Sequence, residues 1–534
     1  MMWLKKPLPA ALLLSFLWTV CRLAFLWHAG IPQPSTHDEF SYLLQADTFA
    51  HGRLANPPLQ LGKFFESPHE LVRPTYASKY PPGQALFLAL GQVLFGSPFY
   101  GVIIGNALMI FTFCLMLFAW VPARWALAVT AMFGLVLSPA MYWTNSYWGG
   151  SLAASGGALV LLGVGMYRTR QTPLAGATFA LGVLLLFWTR PFEGGVFTLL
   201  VLIVFGRELW RKRRTGALVA VAFVLAIGGA WTCLDNEAIT GNPFLLPYVV
   251  HQRQYDVEPV FWFQKLRPEP TYSNPRLAAF HGTNGWEVQA YKGTRKGWKL
   301  LASRLYGPFG TLRWDLYIAV VLVLLVPVAW RDPLYRKMVI VAGVFLFALG
   351  AETFHQKHYT APAWGALALM IAVWSERAWK FRFRNVPVGA LLVVLALVSP
   401  AIILLPAAQA MEKNASMPFI GDYTGKLPPS SWPRRRGELI QRLSALDRPQ
   451  LVLVRYPSPD WHIREEWVYN SADIDRQRVI FAHDLGTEQD RELLNHYPDR
   501  TALLLTFDPA SGQEHTQPYP SSVASDGSVS GGKS

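Results

Sequence analysis

The chain reads LPAALLLSFLWTVCRLAFLWHAGIPQPSTHDEF over residues 8–40, an apolar segment of membrane-spanning length followed by two adjacent carboxylates, Asp38 and Glu39. About 20 apolar residues are enough to cross a bilayer as a helix. Lys5 and Lys6 precede the segment as in a signal peptide, but no small-residue cleavage site comes before residues 28–30. We therefore interpret the segment as an uncleaved first helix, with an acidic pair where it meets water.

The whole chain has the composition of a polytopic membrane protein. Of its 534 residues, 52% are hydrophobic, 14% are aromatic and only 15% are charged. We predict about eleven transmembrane helices, a count good to one or two because several segments are short. The predicted spans are residues 8–27, 99–120, 125–143, 151–167, 174–188, 192–205, 216–234, 314–330, 338–350, 362–379 and 386–406. The predicted fold class is an α-helical polytopic membrane protein with a small α/β domain after the last span.

Basic residues predict the orientation, because Lys and Arg in short loops are kept on the cytoplasmic side. With the amino terminus in the cytoplasm, the inner loops collect most basic residues between spans, namely Arg124, Arg168, Arg170, Arg207, Arg211, Lys212, Arg213, Arg214, Arg331, Arg336, Lys337, Arg377, Lys380, Arg382 and Arg384. The short outer loops keep only Arg190 and Lys357. We predict an integral plasma (inner) membrane protein whose functional surface is extracytoplasmic.

Three sizeable regions then lie outside. Residues 29–98 form the first outer loop and residues 235–313 the second outer loop, both within a membrane domain of residues 1–406. In the first outer loop, residues 84–90 are apolar but too short to cross, so we predict an interfacial helix there.

The third outer region is soluble in composition. Residues 407–510 are predicted to form an extracytoplasmic α/β domain. Its predicted strands lie near residues 451–454, 479–482 and 503–507, with a helix near 488–496. The Ser/Gly-rich residues 511–534 are predicted to be a disordered tail.

Charge and cysteine content exclude other classes of function. The net charge of +14 comes largely from the inner loops and does not indicate nucleic-acid binding. The three cysteines, Cys21, Cys114 and Cys233, all lie in apolar segments and offer neither a disulfide framework nor a metal-ligand spacing. We predict no cofactor and no metal ligands, although a divalent metal is not excluded.

The acidic pair has a structural interpretation and a chemical one. Thr36 followed by Glu39 is a capping-box pattern, and Asp38 would be favoured in the first helical turn. The helix that begins there, over about residues 40–50, would be juxtamembrane. This accounts for both acids without any chemistry, so the chemical interpretation depends on what else lies on the same face.

Three cations are predicted on the extracytoplasmic face, although Lys and Arg in short loops are normally kept on the cytoplasmic side. Lys79 precedes the interfacial helix, Arg190 lies between two spans, and Lys357 is followed by His358 and Tyr359 before another span. Arg offers a two-pronged donor to a phosphate and Lys a point charge, so these residues are candidates for phosphate binding. Snorkelling to lipid headgroups is the alternative explanation for Lys79 and Arg190.

Further side chains are candidates for a substrate cavity. They are His37, Tyr80, Glu193 and Tyr147, with Glu352 as a similar intramembrane acid and Trp148 or Trp262 as sugar-stacking rings. Arg22, near the outer end of the first span, is expected to snorkel.

We call the cations that could bind a phosphate the phosphate clamp. A carboxylate base next to such a clamp suits transfer of a sugar from a lipid-linked phosphosugar. Phosphate is a good leaving group, so one base suffices and no general acid is needed. The base takes the proton of the acceptor hydroxyl, whose oxygen attacks and inverts the anomeric carbon, while the cations stabilise the departing phosphate.

The motifs resemble the GT-C superfamily of membrane glycosyltransferases, which includes the protein O-mannosyltransferases and the lipid A aminoarabinose transferases. The resemblance covers roughly residues 8–406 and is carried by Asp38-Glu39 after the first helix, Lys79 before the interfacial helix, Thr189-Arg190-Pro191, and His358-Tyr359 with Pro362.

The resemblance implies that Asp38 is the catalytic carboxylate and that the later basic residues hold the lipid phosphate. It also implies a polyprenyl-phosphate-linked sugar donor, with a lipid, a glycan or a protein as acceptor. Many relatives carry another Asp in the next outer loop, but residues 144–150 contain no acid here. Tyr147 and Asn145 could therefore supply only neutral hydrogen bonds.

Two other classes of function stay open at this stage. A transporter or lipid flippase would also place charges in a membrane cavity, but such proteins often show repeated halves and interrupted helices, which this sequence lacks. A non-catalytic envelope scaffold would bind a partner through its outer domain and would have no use for Asp38.

Overall fold

The computed structural model describes residues 6–136, 142–211, 213–294, 329–354, 356–398 and 431–520. The predicted span 314–330 lies outside the described residues except for its last two positions, and the predicted span 386–406 is described only to residue 398.

Apolar helices form the body of the protein. They are α1 (Pro7–Ala29), α4 (Phe99–Trp120), α5 (Ala123–Val136), α6 (Tyr142–Asn145), α7 (Gly150–Thr169), α8 (Pro173–Thr189), α9 (Pro191–Arg211), α10 (Thr215–Thr240), α14 (Pro333–Leu349), α15 (Trp364–Ala378) and α16 (Val388–Val398). Among the described residues, four of them are long and apolar enough to cross a membrane on length and composition, namely α1, α4, α7 and α10. The predicted number of spans stays a prediction.

Local signals in the sequence set where several helices begin and end. The Thr172 side chain accepts a hydrogen bond from the Ala175 N–H at the start of α8, where Pro173 occupies the first turn. Asp332 caps α14 in the same way. Gly241 ends α10 in the left-handed conformation, with φ of 75°, which glycine adopts without strain.

Helix α7 lies at the centre of the helical body. Its neighbours are α4, α8, α9, α15 and the short 3-10 helix Lys357–Ala363. A Cβ atom on Gly157 would lie 2.0 Å from the Pro362 carbonyl oxygen, so only glycine permits this approach. The contact fixes the 3-10 helix, which carries His358 and Tyr359, against α7.

Shorter elements cover one end of the helical body. They are α2 (His37–Ala50), the antiparallel pair β1 (Glu70–Leu71) and β2 (Ala77–Ser78), α3 (Gly83–Phe95), α11 (Pro247–Gln254), α12 (Pro275–His281) and α13 (Trp286–Thr294). Helix α3 coincides with the predicted interfacial helix, and its last turns expose Leu90, Val93, Leu94 and Phe95. Such an apolar exposed end suits the membrane interface.

Residues 431–520 form a small α/β domain. Helix α17 (Trp432–Ser444) and helix α18 (Thr487–His496) accompany a four-stranded sheet of order β4-β3-β5-β6. Its strands are β3 (Gln450–Val454), β4 (Val479–His483), β5 (Thr501–Phe507) and β6 (Glu514–Pro518). Strand β3 is parallel to β4 and β5, whereas β6 is antiparallel to β5. The three predicted strands and the predicted helix lie at these positions.

Two sequence expectations are corrected. Strand β6 lies within residues 511–534, which were expected to be a disordered tail, because its backbone completes the edge of the sheet beside β5. Arg22 does not snorkel; it is buried and donates to the Thr144 carbonyl and the Asn145 side chain.

Substitution of Gly157 tests the close approach of α7 to the 3-10 helix. Gly157→Ala should lower the melting temperature of the detergent-solubilised protein, because overpacking of this kind costs about 1–3 kcal/mol. Gly195 in α9 is the matched control, since a Cβ there would meet nothing within 4 Å. Gly195→Ala should leave the melting temperature unchanged or raise it, because alanine is the better helix former. Equal melting temperatures for the two variants would contradict the packing.

Candidate active site

Asp38 lies in the first turn of α2, with its side chain 29% exposed. The Tyr80 hydroxyl donates a short hydrogen bond to Asp38 Oδ1. His69 Nε2 lies 3.9 Å from Asp38 Oδ2. His69 itself is buried and has a positive φ of 70°, a strained conformation for a residue with a side chain. The Tyr80 hydroxyl therefore orients the partly open carboxylate, and the His69 ring lies beside it.

Glu39 has a different environment from its neighbour. It is fully buried, and its carboxylate accepts the backbone N–H groups of Ser35 at 2.8 Å and Tyr147 at 2.9 Å. Burial raises the pKa of Glu39 to about 7. Glu39 reaches back over the helix start as the capping box predicts, but the Thr36 hydroxyl makes no cap hydrogen bond. These contacts favour a structural role for Glu39.

Arg190 occupies the junction between α8 and α9. Its guanidinium contacts His358 Nε2 at short range and lies 3.7 Å from Glu193 Oε1. The same group lies over the Tyr359 ring, 4.4 Å from the centroid. Arg190 Nε is buried and has no hydrogen-bond partner among the described atoms. The predicted residues Arg190, Glu193, His358 and Tyr359 are thus gathered in one cluster.

Tyr42 connects this cluster to Asp38. Its ring stacks on Tyr80 with a centroid distance of 4.6 Å, and its hydroxyl lies within electrostatic reach of both Arg190 and Asp38. A Cβ on Gly83 would lie 2.6 Å from the Trp188 carbonyl oxygen, so the chain after Tyr80 rests directly on the end of α8. Asp38 and Arg190, 152 positions apart in the sequence, share one neighbourhood for that reason.

Lys79 is buried between two aromatic rings. Its ammonium group lies 5.5 Å from the Tyr80 centroid and 5.3 Å from the Tyr248 centroid. No carboxylate among the described residues forms an ion pair with it, although its charge acts on Asp256 and Glu287 of the second outer loop. Lys79 is therefore a cation without a direct anionic partner in the described part of the chain.

Other predicted residues lie elsewhere. His37 faces the α/β domain, where Nδ1 is 2.7 Å from the Tyr469 hydroxyl and Nε2 is 3.3 Å from the Ile463 carbonyl. Tyr147 uses its hydroxyl to donate to the Pro32 carbonyl at 3.0 Å. The backbone of Lys357 begins the 3-10 helix, and its side chain lies outside what the structure describes.

Some additional aromatic and acidic candidates surround the Arg190 cluster. The Trp148 ring packs edge-on against His358 at 4.7 Å. Glu352 is buried and acts electrostatically on Tyr359. Trp262 packs on Phe263 rather than on this cluster, with a centroid distance of 5.9 Å.

A buried group of histidines and acids in the second outer loop was not predicted from the sequence. Its members are His251, Asp256, Glu258, His281 and Glu287. Two overlapping subsets, His251 with Asp256 and His281, and Asp256 with Glu258, His281 and Glu287, place ligand atoms within 4.8 Å of one another and could hold a metal ion. Burial and mutual repulsion raise the pKa values of Glu258 and Glu287 above the usual range. The only signal in the sequence was the recurrence of His and acidic residues in this loop.

Comparison with solved structures assigns the fold class. ArnT from Cupriavidus metallidurans bound to undecaprenyl phosphate aligns with a TM-score of 0.50 and 13% identity, over 92% of this chain and 92% of that chain. An Archaeoglobus fulgidus oligosaccharyltransferase in complex with Zn and sulfate aligns with a TM-score of 0.49 and 13% identity, over 94% of this chain and 68% of that chain. No protein-family model matches the chain, and no curated protein matches it by sequence.

The chain therefore shares the fold of ArnT, which is a GT-C glycosyltransferase, as its motifs predicted. At this low identity the likeness establishes the fold alone, and the chemistry has to be argued from the site.

The raised pKa of Glu39 predicts a pH-dependent stability. Between the ordinary carboxyl pKa of 4.5 and about 7, the folded state keeps a proton that the unfolded state releases, so stability falls as pH rises through this window. Glu39→Gln should remove this slope. The difference in melting temperature between wild type and the variant should therefore be larger at pH 5 than at pH 7.5.

The exposed Glu438 provides the matched control for this titration. Glu438→Gln should follow the wild-type pH profile. A difference between wild type and Glu39→Gln that stays constant from pH 5 to pH 7.5 would contradict the assigned pKa.

Proposed function

We propose that this chain is a membrane glycosyltransferase that moves a sugar from a polyprenyl-phosphate-linked donor to an acceptor hydroxyl at the extracytoplasmic face, with inversion. The observation that carries the proposal is the shared neighbourhood of a partly open carboxylate, Asp38, and a largely enclosed guanidinium, Arg190, both of which lie within electrostatic reach of Tyr42. The GT-C fold supports it, since the solved proteins of this fold are glycosyltransferases. Undecaprenyl phosphate, bound in ArnT, is a suitable model for the lipid part of the donor.

Asp38 is assigned as the general base. The acceptor O–H gives its proton to the Asp38 carboxylate while the oxygen forms a bond to the anomeric carbon. The bond between that carbon and the phosphate oxygen breaks, and its electron pair leaves with the phosphate. The Tyr80 hydroxyl orients the carboxylate, so the base is held in place before the acceptor arrives.

Arg190 is assigned as the main phosphate ligand. Its guanidinium is fixed by His358, Glu193 and the face of Tyr359, and its Nε remains without a partner in the described part of the chain. A planar cation of this kind can stabilise the negative charge that grows on the leaving phosphate. Lys79 is the second candidate phosphate ligand, because it is buried without an ion-pair partner among the described residues.

Replacement of Asp38 tests the base. Asp38→Asn keeps the shape of the side chain but cannot accept the proton, so sugar transfer should fall by about 10²-fold or more. The measurement is mass analysis of envelope glycans and lipids from cells that lack the chain and are complemented with wild type or variant. Loss of the same sugar in both the deletion and the Asp38→Asn strain would identify the donor sugar and the acceptor class.

Asp499, exposed in the α/β domain, is the control for this experiment. Asp499→Asn should transfer sugar at the wild-type rate. If Asp38→Asn inserts at the normal level and still transfers sugar like Asp499→Asn, Asp38 is not the base.

Replacement of Arg190 tests the phosphate clamp. Arg190→Ala should weaken binding of undecaprenyl phosphate by about tenfold or more in native mass spectrometry, because a charge-assisted contact is worth about 1.5–3 kcal/mol. Arg190→Lys should recover part of the affinity, since lysine keeps the positive charge but cannot donate two parallel hydrogen bonds to a phosphate as a guanidinium does.

The control lies near the other end of the same helix. Arg207→Ala removes a cation from α9 close to its last residue, Arg211, and should leave lipid-phosphate binding unchanged. Equal affinities for Arg190→Ala and wild type would leave Arg190 as a structural partner of Glu193.

A further inference from the structure

The buried histidines and acids of the second outer loop lie close together in space. They belong to helices α11, α12 and α13 and to the segment that follows α11. His251 lies in α11 and Asp256 just after it, His281 ends α12, and Glu287 lies in the first turn of α13. All are nearly inaccessible, with exposed fractions of 0% for both histidines and 2% for Asp256. Charged and polar groups removed from water to this extent need partners.

Several of these groups meet without hydrogen-bond geometry. Asp256 Oδ1 lies between the Nδ1 atoms of His251 and His281 but makes no hydrogen bond to either, and Glu258 Oε2 has no hydrogen-bond partner among the described residues. Close nitrogen and carboxylate atoms in this arrangement indicate a ligand that binds lone pairs, and a cation is such a ligand.

The distances within the group fit a small metal ion. His251 Nδ1 lies 3.1 Å from Asp256 Oδ1, and His281 Nδ1 lies 3.3 Å from the same oxygen. Bonds of about 2.0–2.1 Å arranged tetrahedrally place ligand atoms about 3.3 Å apart. His281 Nδ1 also lies 2.6 Å from Glu287 Oε2, a hydrogen-bond distance, so a bound ion would displace the shared proton.

We propose that His251, Asp256 and His281, with Glu287 or Glu258 as a fourth ligand, form a zinc site in the second outer loop. Two imidazole nitrogens with carboxylate oxygens form a donor set that suits Zn²⁺ better than Mg²⁺ or Ca²⁺, which prefer oxygen alone. The site is distinct from the proposed base and clamp, since it contains neither Asp38 nor Arg190.

The ion would hold α11, α12 and α13 together. Tyr248 lies one turn before His251 in α11 and presents its ring to the Lys79 ammonium at 5.3 Å. The zinc site would therefore fix the wall against which Lys79 rests. Its role is positioning, since none of its ligands touches the Asp38 carboxylate.

Elemental analysis of the full chain tests the site. The protein is purified through a tag without histidines and without chelators, and metals are measured by inductively coupled plasma mass spectrometry. Wild type should carry about one zinc per chain, and Asp256→Asn and the double variant His251→Ala/His281→Ala should each carry at least tenfold less. The exposed histidines His496 and His515 provide the control double variant, which should keep its zinc.

A second measurement does not depend on folding of the variants. Folded wild type is stripped with a chelator and titrated with Zn²⁺ or Mg²⁺ while its melting temperature is followed. The melting temperature should fall on stripping and return with one equivalent of Zn²⁺ but not with Mg²⁺. Zinc-free wild type that neither binds added Zn²⁺ nor gains stability would overturn the proposal, as would zinc retained by Asp256→Asn and the double variant. Neither readout involves sugar transfer, so either proposal can fail alone.

Discussion

The position of the candidate base depends on the buried carboxylate next to it. Glu39 joins the start of α2 to the segment before α7 by accepting the N–H groups of Ser35 and Tyr147. A buried acid with fixed donors tolerates little displacement, because a lost hydrogen bond would leave polar groups unsatisfied away from water. Asp38 lies in the same helical turn, so its orientation toward Tyr80 follows from the anchoring of Glu39.

Close contacts between helix backbones determine where the cationic residues of the site lie. Between apolar helices in a bilayer there is little hydrophobic driving force, so close packing of backbones carries much of the association. Gly83 rests on the Trp188 carbonyl and Gly157 on the Pro362 carbonyl, each closer than any side chain would permit. These two contacts bring Tyr80 to the end of α8 and His358 to α7, and Arg190 lies between them.

Sequence reasoning succeeded where the signal is local and failed where it depends on folding. Apolar segments predicted the helices, and apolar runs predicted β3, β4 and β5. The buried contact of Arg22 with Asn145 joins residues far apart in sequence, so it could not be predicted from charge and depth alone. His251 and His281 are 30 positions apart without a ligand motif, and only the packing of α11 against α12 makes them neighbours.

The α/β domain is bound to both outer loops, which argues that it forms part of the architecture around the site. Arg276 of the second outer loop is buried against Glu466 at 2.7 Å and donates to carbonyls between Pro459 and Glu465. Removing either partner would strand a buried charge, which is far more destabilising than losing an exposed ion pair. On the other side, His37, which immediately precedes Asp38, forms a hydrogen bond with the Tyr469 hydroxyl of the α/β domain. A shift of this domain would therefore be transmitted to the first turn of α2, where the candidate base lies.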